Sequence, residues 1–409
     1  MAVVAEGAAG WVLDTSSLLD QSYSRCIRWA GAHKTAVTCR CKSHCFQTLR
    51  SHFKDTGDAV SAGEAVTSNK KRKRKRTDFN QGEIDIQAFH DKVRPIILDG
   101  TEALVESARA RGCLTTAGET TKDCVLLPEC GLSALCEMAT QLPPTDAEEQ
   151  DGLPQILEGG STVNLDLFSR MTENKSDSAA VVTLMGEEYV VPAKSTFLLS
   201  DISRLQPLLS CKAKYDLVVI DPPWENKSVK RSRRYNALPS SQLKKLPIPL
   251  LASSDCLLVT WVTNKPSHLR FVRHELYPQW GAEAVAEWLW VKVTASGQFV
   301  FPLDSQHKKP YEVLVLGKFS SNSSLSEGSG ESLPIEDHRL IISVPSTLHS
   351  QKPQLSEVLK PFIRPNAKCL ELFARNLLPG WTSWGNEVLK FQHASYFTVT
   401  PADDKASST

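Results

Sequence analysis

The sequence contains little that would hold it in a membrane or direct it to export. Among its 409 residues no run of about 18 consecutive apolar residues occurs, which is the length a membrane-spanning helix needs. The first residues, MAVVAEGAAGWVLD, lack the basic start and the long apolar stretch of a secretory signal. The 11 cysteines are an odd number in a long chain. We therefore expect a soluble intracellular protein with reduced thiols and no membrane partner.

Signatures of metal and nucleotide sites are also scarce. The sequence has no Walker motif and no glycine-rich dinucleotide loop. The segment CRCKSHC offers ligand types that zinc prefers (Cys39, Cys41, His44 and Cys45), but their spacing fits no common zinc module. Free thiols in a mobile segment are the better interpretation, and we predict no metal site.

Positive charge is scarce outside one short segment. The net charge is +1, and the run KKRKRKR at 70–76 supplies seven of the 47 Lys and Arg residues. Without this run, 40 basic residues face 46 Asp and Glu. A solvated linker would also be basic, but the isolation of the run favours a nuclear localisation signal. We expect the protein in the nucleus, with the cytoplasm as a second compartment.

Composition divides the chain into four parts, which are 1–77, 78–179, 180–399 and 400–409. The first part is rich in Ser, Ala and Thr without sustained periodicity, so we expect weak order there. The second holds the helical pattern GEIDIQAFHDKVRPIILDG, for which Gly100 is a plausible stop, and then a polar connector. We expect this part to be a mainly helical accessory region. The last part is a tail.

The third part alternates short β-branched runs with helical patterns. The runs YDLVVI (215–220), CLLVTWV (256–262) and KCLELFA (368–374) are apolar enough to be strands buried on both faces. A Ser/Gly-rich stretch at 320–334 predicts a disordered surface loop. The alternation predicts an α/β fold with a mostly parallel sheet and helices on both faces. Ligands of such sheets bind beyond the carboxyl ends of strands, at a topological switch point.

Asp221 ends the strand YDLVVI and begins the tetrapeptide DPPW. A lone Asp at a strand end is more often a cap, but Pro222 and Pro223 fix the backbone and present the preceding carbonyls rigidly. The carboxylate and a fixed carbonyl make two acceptors that match the two N–H protons of an exocyclic amine. Trp224 adds a flat face on which a base can stack. The tetrapeptide therefore favours chemistry on the amino group of a nucleobase.

A basic segment, KSVKRSRR at 227–234, follows the tetrapeptide. On its own it would be a solvated loop. Beside a nucleic-acid site it is expected to bind phosphates in a salt-dependent way. The candidate contacts are Lys230, Arg231, Arg233 and Arg234.

DPPW after a buried strand resembles the adenine-N6 methyltransferases of the MT-A70 family. Over about residues 180–395 the similarity extends to the methyltransferase-like-four branch through six blocks in order, LLSDI, VVIDPPWENKSVKRS, LLVTWVTN, HKKPYE, STLHSQKP and ELFARNLLPGWTSWGNE. The resemblance implies a Rossmann-like methyltransferase sheet in which the catalytic motif precedes ELFAR, the family's permuted order. It implies Asp221, Pro222, Pro223 and Trp224 as the catalytic motif.

The resemblance also implies S-adenosylmethionine as methyl donor. The implied donor-binding residues are Asp201, Ile202, Asp221, Lys352, Arg375, Asn376, Asn386 and Glu387. Among them, Lys352 would face the donor's carboxylate, and Arg375 and Asn376 its ribose. Trp224 would lie beneath the acceptor base, with Tyr235 and Glu312 lining that side. Two positions depart from the family. Relatives often have Gly where this chain has Ala374, and Gln where it has Glu387.

Three functions remain open on the sequence. The leading one is methylation of adenosine N6 in RNA, and the branch resemblance suggests small nuclear RNA at a 2′-O-methylated adenosine. The second is methylation of adenine N6 in DNA by the same chemistry. The third is a non-catalytic adaptor that binds nucleic acid, against which the intact catalytic and donor-binding positions argue. We expect an enzyme that is active without a partner subunit.

Overall fold

The structure is a computed structural model, and the described residues are 3–30, 33–46, 81–114, 139, 153–157, 165–201, 204–225, 238–305, 308–319, 333–348 and 350–402. The strands in these ranges are β1 Val3–Gly7, β2 Gly10–Leu13, β3 Cys26–Ala30, β4 His33–Cys41, β5 Gln155–Ile156, β6 Thr172–Glu173, β7 Ala179–Leu184, β8 Glu187–Val191, β9 Thr196–Leu198, β10 Tyr215–Ile220, β11 Ala252–Val262, β12 Ala282–Lys292, β13 Tyr311–Phe319, β14 Leu340–Ser343, β15 Cys369–Leu372, β16 Trp381–Trp384 and β17 Phe397–Pro401.

Two helices, α1 Thr15–Ser22 and α2 Gln81–Ala110, precede the third part of the chain. The later α-helices are short, and they are Gln206–Ser210, Ser240–Leu243, Ile248–Leu251, Pro266–Phe271, Tyr277–Trp280 and Ser356–Leu359. A π-helical turn, Val272–Leu276, joins two of them. Single 3₁₀ turns cover Ser43–Phe46, Lys360–Phe362 and Ala394–Tyr396. No helix of the described ranges has both the length and the apolar character needed to cross a bilayer.

The larger sheet has twelve strands in the order β1-β2-β14-β12-β13-β11-β10-β15-β16-β9-β6-β5. Eight of them run in one direction, and β1, β13, β6 and β5 run in the other. The predicted mostly parallel sheet is therefore confirmed. From β10 the chain continues to β11 on one side and returns much later to β15 on the other. The carboxyl end of β10 is thus a topological switch point.

Alternate residues of β10 belong to two different hydrophobic cores. Val218 and Ile220 pack in the core that contains residues of α2 and of the helix Pro266–Phe271. Leu217 and Val219 pack in the core that contains residues of the helix Ser356–Leu359. Because successive side chains of a strand point to opposite faces, these helices cover both faces of the sheet. The predicted layers are confirmed.

The prediction of weak order was wrong for residues 3–30 and 33–46. There β2 pairs with β14 at the edge of the larger sheet. The smaller sheet, in the order β17-β4-β3-β7-β8, takes two strands from the same segment. These strands pair locally, β1 with β2 and β3 with β4, but β2, β3 and β4 also pair with strands far along the chain, which local periodicity does not reveal. Cys39 and Cys41 lie on β4 and not in a mobile segment, and both are free thiols.

The prediction that the helix stops at Gly100 was also wrong. Helix α2 passes through Pro95 and Gly100 and ends at Ala110. A Cβ at position 100 would lie 2.5 Å from Cδ1 of Leu340 and 3.1 Å from Cβ of Ala9. Glycine is therefore required there for close packing on β14 and not as a helix stop. The buried face of α2 belongs to the core of the larger sheet, so the helix is part of the catalytic body.

Some predictions fall on residues outside the described ranges. They concern the basic run at 70–76, the basic segment at 227–234, and 320–332 of the Ser/Gly-rich stretch. They remain predictions.

Candidate active site

The candidate site lies at the edge of the sheet where four parallel strands end together. Ile220 of β10, Leu372 of β15, Trp384 of β16 and Leu198 of β9 are neighbours in the register. The segments that follow these residues contain Asp221, Arg375–Asn376, Asn386–Glu387 and Asp201, respectively. Four separate blocks of the sequence therefore meet at one edge, as the expected binding crevice requires.

Close backbone contacts hold these segments together. The N–H of Ala374 donates to the carbonyl of Trp384 at 2.9 Å, and the N–H of Gly385 donates to that of Leu198 at 3.2 Å. A Cβ at Gly385 would lie only 2.7 Å from the carbonyl oxygen of Ala374. Only glycine allows this approach. Phe373 has φ of 59°, which is uncommon for a residue with a side chain and marks a sharp turn after β15.

Asp221 is buried, with 7% of its surface exposed, and its carboxylate lies between two cations. Nη1 of Arg375 donates to Oδ2 at 2.8 Å, and Nζ of Lys352 lies 3.7 Å from Oδ1. A buried carboxylate is costly unless it is paired, and these cations provide the pairing. Arg375 and Lys352 come from segments 154 and 131 residues later in the chain, so only the fold creates this cluster.

A second carboxylate binds the same lysine from the opposite side. Glu312, at the start of β13, accepts hydrogen bonds from Nζ of Lys352 and Nζ of Lys292. Although burial acts against its charge, these two ammonium groups hold the pKa of Glu312 well below its usual range. Burial opposes the charge of Lys352 too, but Asp221 and Glu312 raise its pKa. At neutral pH both groups are charged.

Arg375 links this cluster to the end of β16. Its Nε donates to Oε2 of Glu387 at 3.0 Å, and its Nη1 also donates to the carbonyl of Ser350 at 3.3 Å. Burial works against the charge of Glu387, but Lys390 and Arg375 lower its pKa below the ordinary value. Relatives often have glutamine at position 387. The glutamate of this chain binds an arginine there.

These side chains line a cavity of about 400 Å³, a volume that includes its open mouth. The polar lining includes Asp221, Glu312, Lys352 and Arg375, and the apolar lining includes Trp224, Trp261 and the two prolines. The predicted catalytic motif and predicted donor- and acceptor-side residues therefore share one cavity.

Trp224 is an inner wall of the cavity and only 5% exposed. Its ring stacks on His268 with centroids 4.6 Å apart and an interplanar angle of 20°, and its Nε1 donates to the carbonyl of Trp261 at 2.8 Å. Phe271 packs against it edge-on. One flat face is therefore already covered, which leaves the opposite face as the one a base could use.

A second cavity, of about 300 Å³, adjoins the first across Trp261 and Lys352. Its lining includes Glu371, Gln354 and Asn376. Oε2 of Glu371 and Nε2 of Gln354 are buried atoms without a hydrogen-bond partner among the described residues. Burial, reinforced by the charge of Asp221, raises the pKa of Glu371 to about 8. Glu371 is therefore mostly neutral at pH 7.

Not every predicted residue belongs to the first cavity. Asp201 and Asn386 are half-buried at the ends of β9 and β16, but they do not line it, and Asn376 lines the second cavity. The remaining predicted residues lie outside the described ranges, and they are Ile202, Lys230, Arg231, Arg233, Arg234 and Tyr235. Within the described ranges, no three His, Cys, Asp or Glu side chains gather as the ligands of a metal would.

Sequence reasoning missed several groups of the site, among them Lys292 and Ser350. Lys292 ends β12, and the register β12–β13 sets it beside Glu312. The sequence feature that could have pointed to Lys292 is its position directly after the apolar run AEWLWV. Ser350 contributes only a backbone carbonyl, for which the sequence carries no signal.

Comparison with known proteins agrees with this geometry. The MT-A70 family profile matches residues 215–387, which include Asp221, Lys352 and Arg375. "N(6)-adenine-specific methyltransferase METTL4" of Mus musculus is 53% identical over 340 residues, 81% of this chain and 72% of the relative. The chain belongs to the MT-A70 family, on its METTL4 branch. It is an adenine-N6 methyltransferase.

More distant MT-A70 relatives differ in the substrate that their names state. "N6-methyladenosine RNA methyltransferase MTA1" of Pyricularia oryzae is 34% identical over 264 residues, 62% of this chain and 68% of the relative. "DNA N6-methyl methyltransferase" of Caenorhabditis elegans is 36% identical over 220 residues, 52% of this chain and 56% of the relative. Adenine-N6 methylation is common to these names, whereas the type of nucleic acid is not.

Proposed function

We propose that this MT-A70 protein transfers a methyl group from S-adenosylmethionine to N6 of adenosine in RNA, with small nuclear RNA at a 2′-O-methylated adenosine as its substrate. The observation that carries the proposal is the Asp221–Trp224 tetrapeptide at the switch point, in a cavity that also holds Lys352, Arg375 and Glu312. Methylation of DNA adenine is the second candidate, favoured by the name of the Caenorhabditis elegans relative.

The charges of the cavity fit the proposed donor. Its amino-acid end carries a carboxylate and an ammonium group, and Lys352 and Asp221 offer one counter-charge for each. Arg375 and the adjoining Asn376 offer hydrogen bonds to ribose hydroxyls. The unpartnered Nε2 of Gln354 and Oε2 of Glu371 border this region and can accommodate a further polar group. When bound, S-adenosylmethionine supplies an electrophilic methyl group on a positively charged sulfur.

On the acceptor side the protein's own groups position the amine. The lone pair of adenine N6 is delocalised into the ring, so the free amine is a weak nucleophile. The Asp221 carboxylate and the Pro222 carbonyl accept from its two N–H groups, and this returns electron density to nitrogen. The Pro222 carbonyl accepts the N–H of Trp224 at 2.8 Å and has a second lone pair for the amine. Positioning and electrostatics of this kind supply most of the catalysis.

A side-by-side assay tests the substrate. Purified protein is given a labelled methyl donor and one of three matched oligonucleotides, namely RNA, the same RNA with a 2′-O-methylated target adenosine, and single-stranded DNA. We expect the highest kcat/KM on the 2′-O-methylated RNA. A preference for DNA would replace the leading proposal with the second candidate. Absence of methylation on all three, with the donor bound, would contradict both.

We also propose that the single chain is active alone and acts in the nucleus, with the cytoplasm as a second compartment. All the charged groups of the cavity come from one chain, which supports activity without a partner subunit. The basic run at 70–76 supports the nuclear address. Turnover by the purified chain at concentrations where it is monomeric tests the first proposal.

A further inference from the structure

Two chain segments meet at the mouth of the cavity, and both carry lysines. Val262 of β11 pairs with Val313 of β13, so Thr263 and Glu312 lie close together, and both line the cavity. Nδ2 of Asn264 donates to the carbonyl of Tyr311 at 2.5 Å. The residues that follow Thr263 and those that precede Glu312 therefore flank the same opening. They include the basic rim, which we define as Lys265, Lys308 and Lys309.

Lys265 lies nearest to the inner wall. It is exposed, and its Nζ is 3.4 Å from Nε2 of His268, the residue whose ring stacks on Trp224. An ammonium group has only donors, so Nε2 is the acceptor and the other ring nitrogen carries the hydrogen, directed at Oγ1 of Thr263 2.8 Å away. Burial and the charge of Lys265 lower the pKa of His268 to about 4. The imidazole is neutral, and the charge at this edge belongs to the lysine.

Asp304, the acid near the other two lysines, is bound by groups outside the rim. Asp304 binds Arg94 through two hydrogen bonds, at 2.8 and 3.0 Å, and lies 3.1 Å from Nε2 of His90. Lys308 is exposed, with its ammonium group 5.4 Å from the centre of the Phe301 ring. Lys309 is half-buried, and its Nζ donates to the carbonyl of Leu303 at 3.4 Å. Basic groups beside an aromatic ring are typical of single-strand binding surfaces.

We propose that the basic rim binds the backbone phosphates that flank the target adenosine, and this inference rests on the proposed function. A base that enters the cavity brings its neighbouring phosphates to the mouth. Phosphate contacts of this kind fix the register of the strand without reading its sequence. The rim belongs to other parts of the sequence than the basic segment at 227–234, and it serves RNA and DNA strands alike.

The test compares a rim variant with a matched control variant. The rim variant is Lys265→Gln, Lys308→Gln and Lys309→Gln together. The control is Lys212→Gln, Lys214→Gln and Lys360→Gln together, which makes the same charge change at exposed positions. Lys212 and Lys214 precede β10, at the opposite edge of the sheet. Affinity for a short fluorescent single-stranded RNA with a central adenosine is measured across a salt series.

We expect the rim variant to bind the RNA at least tenfold more weakly at low salt, and the control variant to match the wild type. Each phosphate contact contributes about 0.7 to the slope of log affinity against log salt for single strands, so three lost contacts make the slope shallower by about 2. Donor affinity and melting temperature should stay at wild-type values. A structural role of the lysines would alter melting but not the slope. In addition, a variant with Lys265→Arg in place of Lys265→Gln keeps the charge at this position, so it should recover most of the RNA affinity that Lys265 contributes.

The outcomes separate this inference from the proposed function. If the wild type methylates the RNA but the rim variant has the same salt slope as the wild type, the proposal for the rim is wrong and the proposed function stands. An equal loss of slope in the control variant would also overturn it, because general charge would then explain the binding. If the wild-type protein neither binds nor methylates RNA or DNA, both the proposal for the rim and the proposed function are wrong.

Discussion

Asp221 is the residue on which the charge network of the site converges, because Arg375 and Lys352 both pair with it. Replacing it with Ala should lower the methylation rate roughly 10²–10⁴-fold, since the target amine loses its charged acceptor. The fold should survive, because Arg375 keeps Glu387 and Lys352 keeps Glu312 as partners. The measurement is single-turnover methyl transfer, with circular dichroism as the test of folding. Asp255→Ala, at an exposed position of β11, is the control, and near-normal turnover by the Asp221 variant would exclude the mechanism.

Glu371 makes a prediction about pH and stability. Its pKa rises from 4.5 to about 8 in the folded protein, so between these values the folded state holds a proton that the unfolded chain has lost. Stability should therefore fall as pH rises from about 4.5 to about 8. Glu371→Gln has no ionisable group at this position, so it lacks this loss of stability. Between these pH values its melting temperature relative to the wild type should rise by several degrees, which corresponds to a few kcal/mol.

Thermal unfolding of both proteins at several pH values between about 5 and 9 measures this effect. Glu357→Gln, an exposed change of the same kind, should follow the wild type. Parallel melting curves for wild type and Glu371→Gln would show that the carboxyl ionises normally in the folded protein.

Helix α2 provides a prediction at the scale of an element. Alanine normally stabilises a helix relative to glycine by about 1 kcal/mol. At position 100, however, the added Cβ would overlap Cδ1 of Leu340, so Gly100→Ala should instead destabilise the protein by roughly 1–3 kcal/mol. Chemical denaturation measures the change. Gly82→Ala, at an exposed position in the same helix, should be neutral or stabilising, and a stable Gly100 variant would mean that α2 can move away from β14.

The elements that sequence patterns predicted well are those whose burial is visible locally. The strands β10, β11 and β15 are near-continuous apolar runs, and Asp221 follows the first of them, so the strand ends and the catalytic tetrapeptide could be found. The segments β1 to β4 could not, because β2, β3 and β4 also pair with the distant strands β14, β7 and β17, and no local pattern shows these pairings. Helix α2 was found but its end was not, since the contact of Gly100 with Leu340 is tertiary.

The site was predictable as a set of residues but not as a network. The family resemblance gave the types of residue near the donor and acceptor. It gave no sign that Arg375 joins Asp221 to Glu387, or that Lys292 shares Glu312 with Lys352. These pairings depend on side chains brought together by the strand order. The burial of Glu371 likewise follows from its place within β15 and not from the residues next to it in the sequence.

At the scale of the whole molecule, we expect the basic run at 70–76 to determine the localisation of the protein and not its catalytic activity. Changing Lys71, Arg72, Lys73 and Arg74 to neutral residues should shift the protein out of the nucleus, because import receptors bind such runs through their charge. Activity of the purified variant on a short oligonucleotide should remain near normal. Fluorescence microscopy and a methylation assay measure the two effects. Unchanged localisation with a collapse of activity on long RNA would identify the run as a nucleic-acid tether instead.

Both sheets join early residues to late ones. The strand β2 pairs with β14 as well as with β1, and β4 pairs with β17 as well as with β3, so segments within the first 41 residues complete their pairing only with 340–343 and 397–401. A ribosome that adds about 5–20 residues per second needs on the order of twenty to sixty seconds to reach β14 after making β2. During that time the early strands have open hydrogen-bonding edges, which bind other chains readily. Both sheets can therefore be completed only after β14 and β17 have been made.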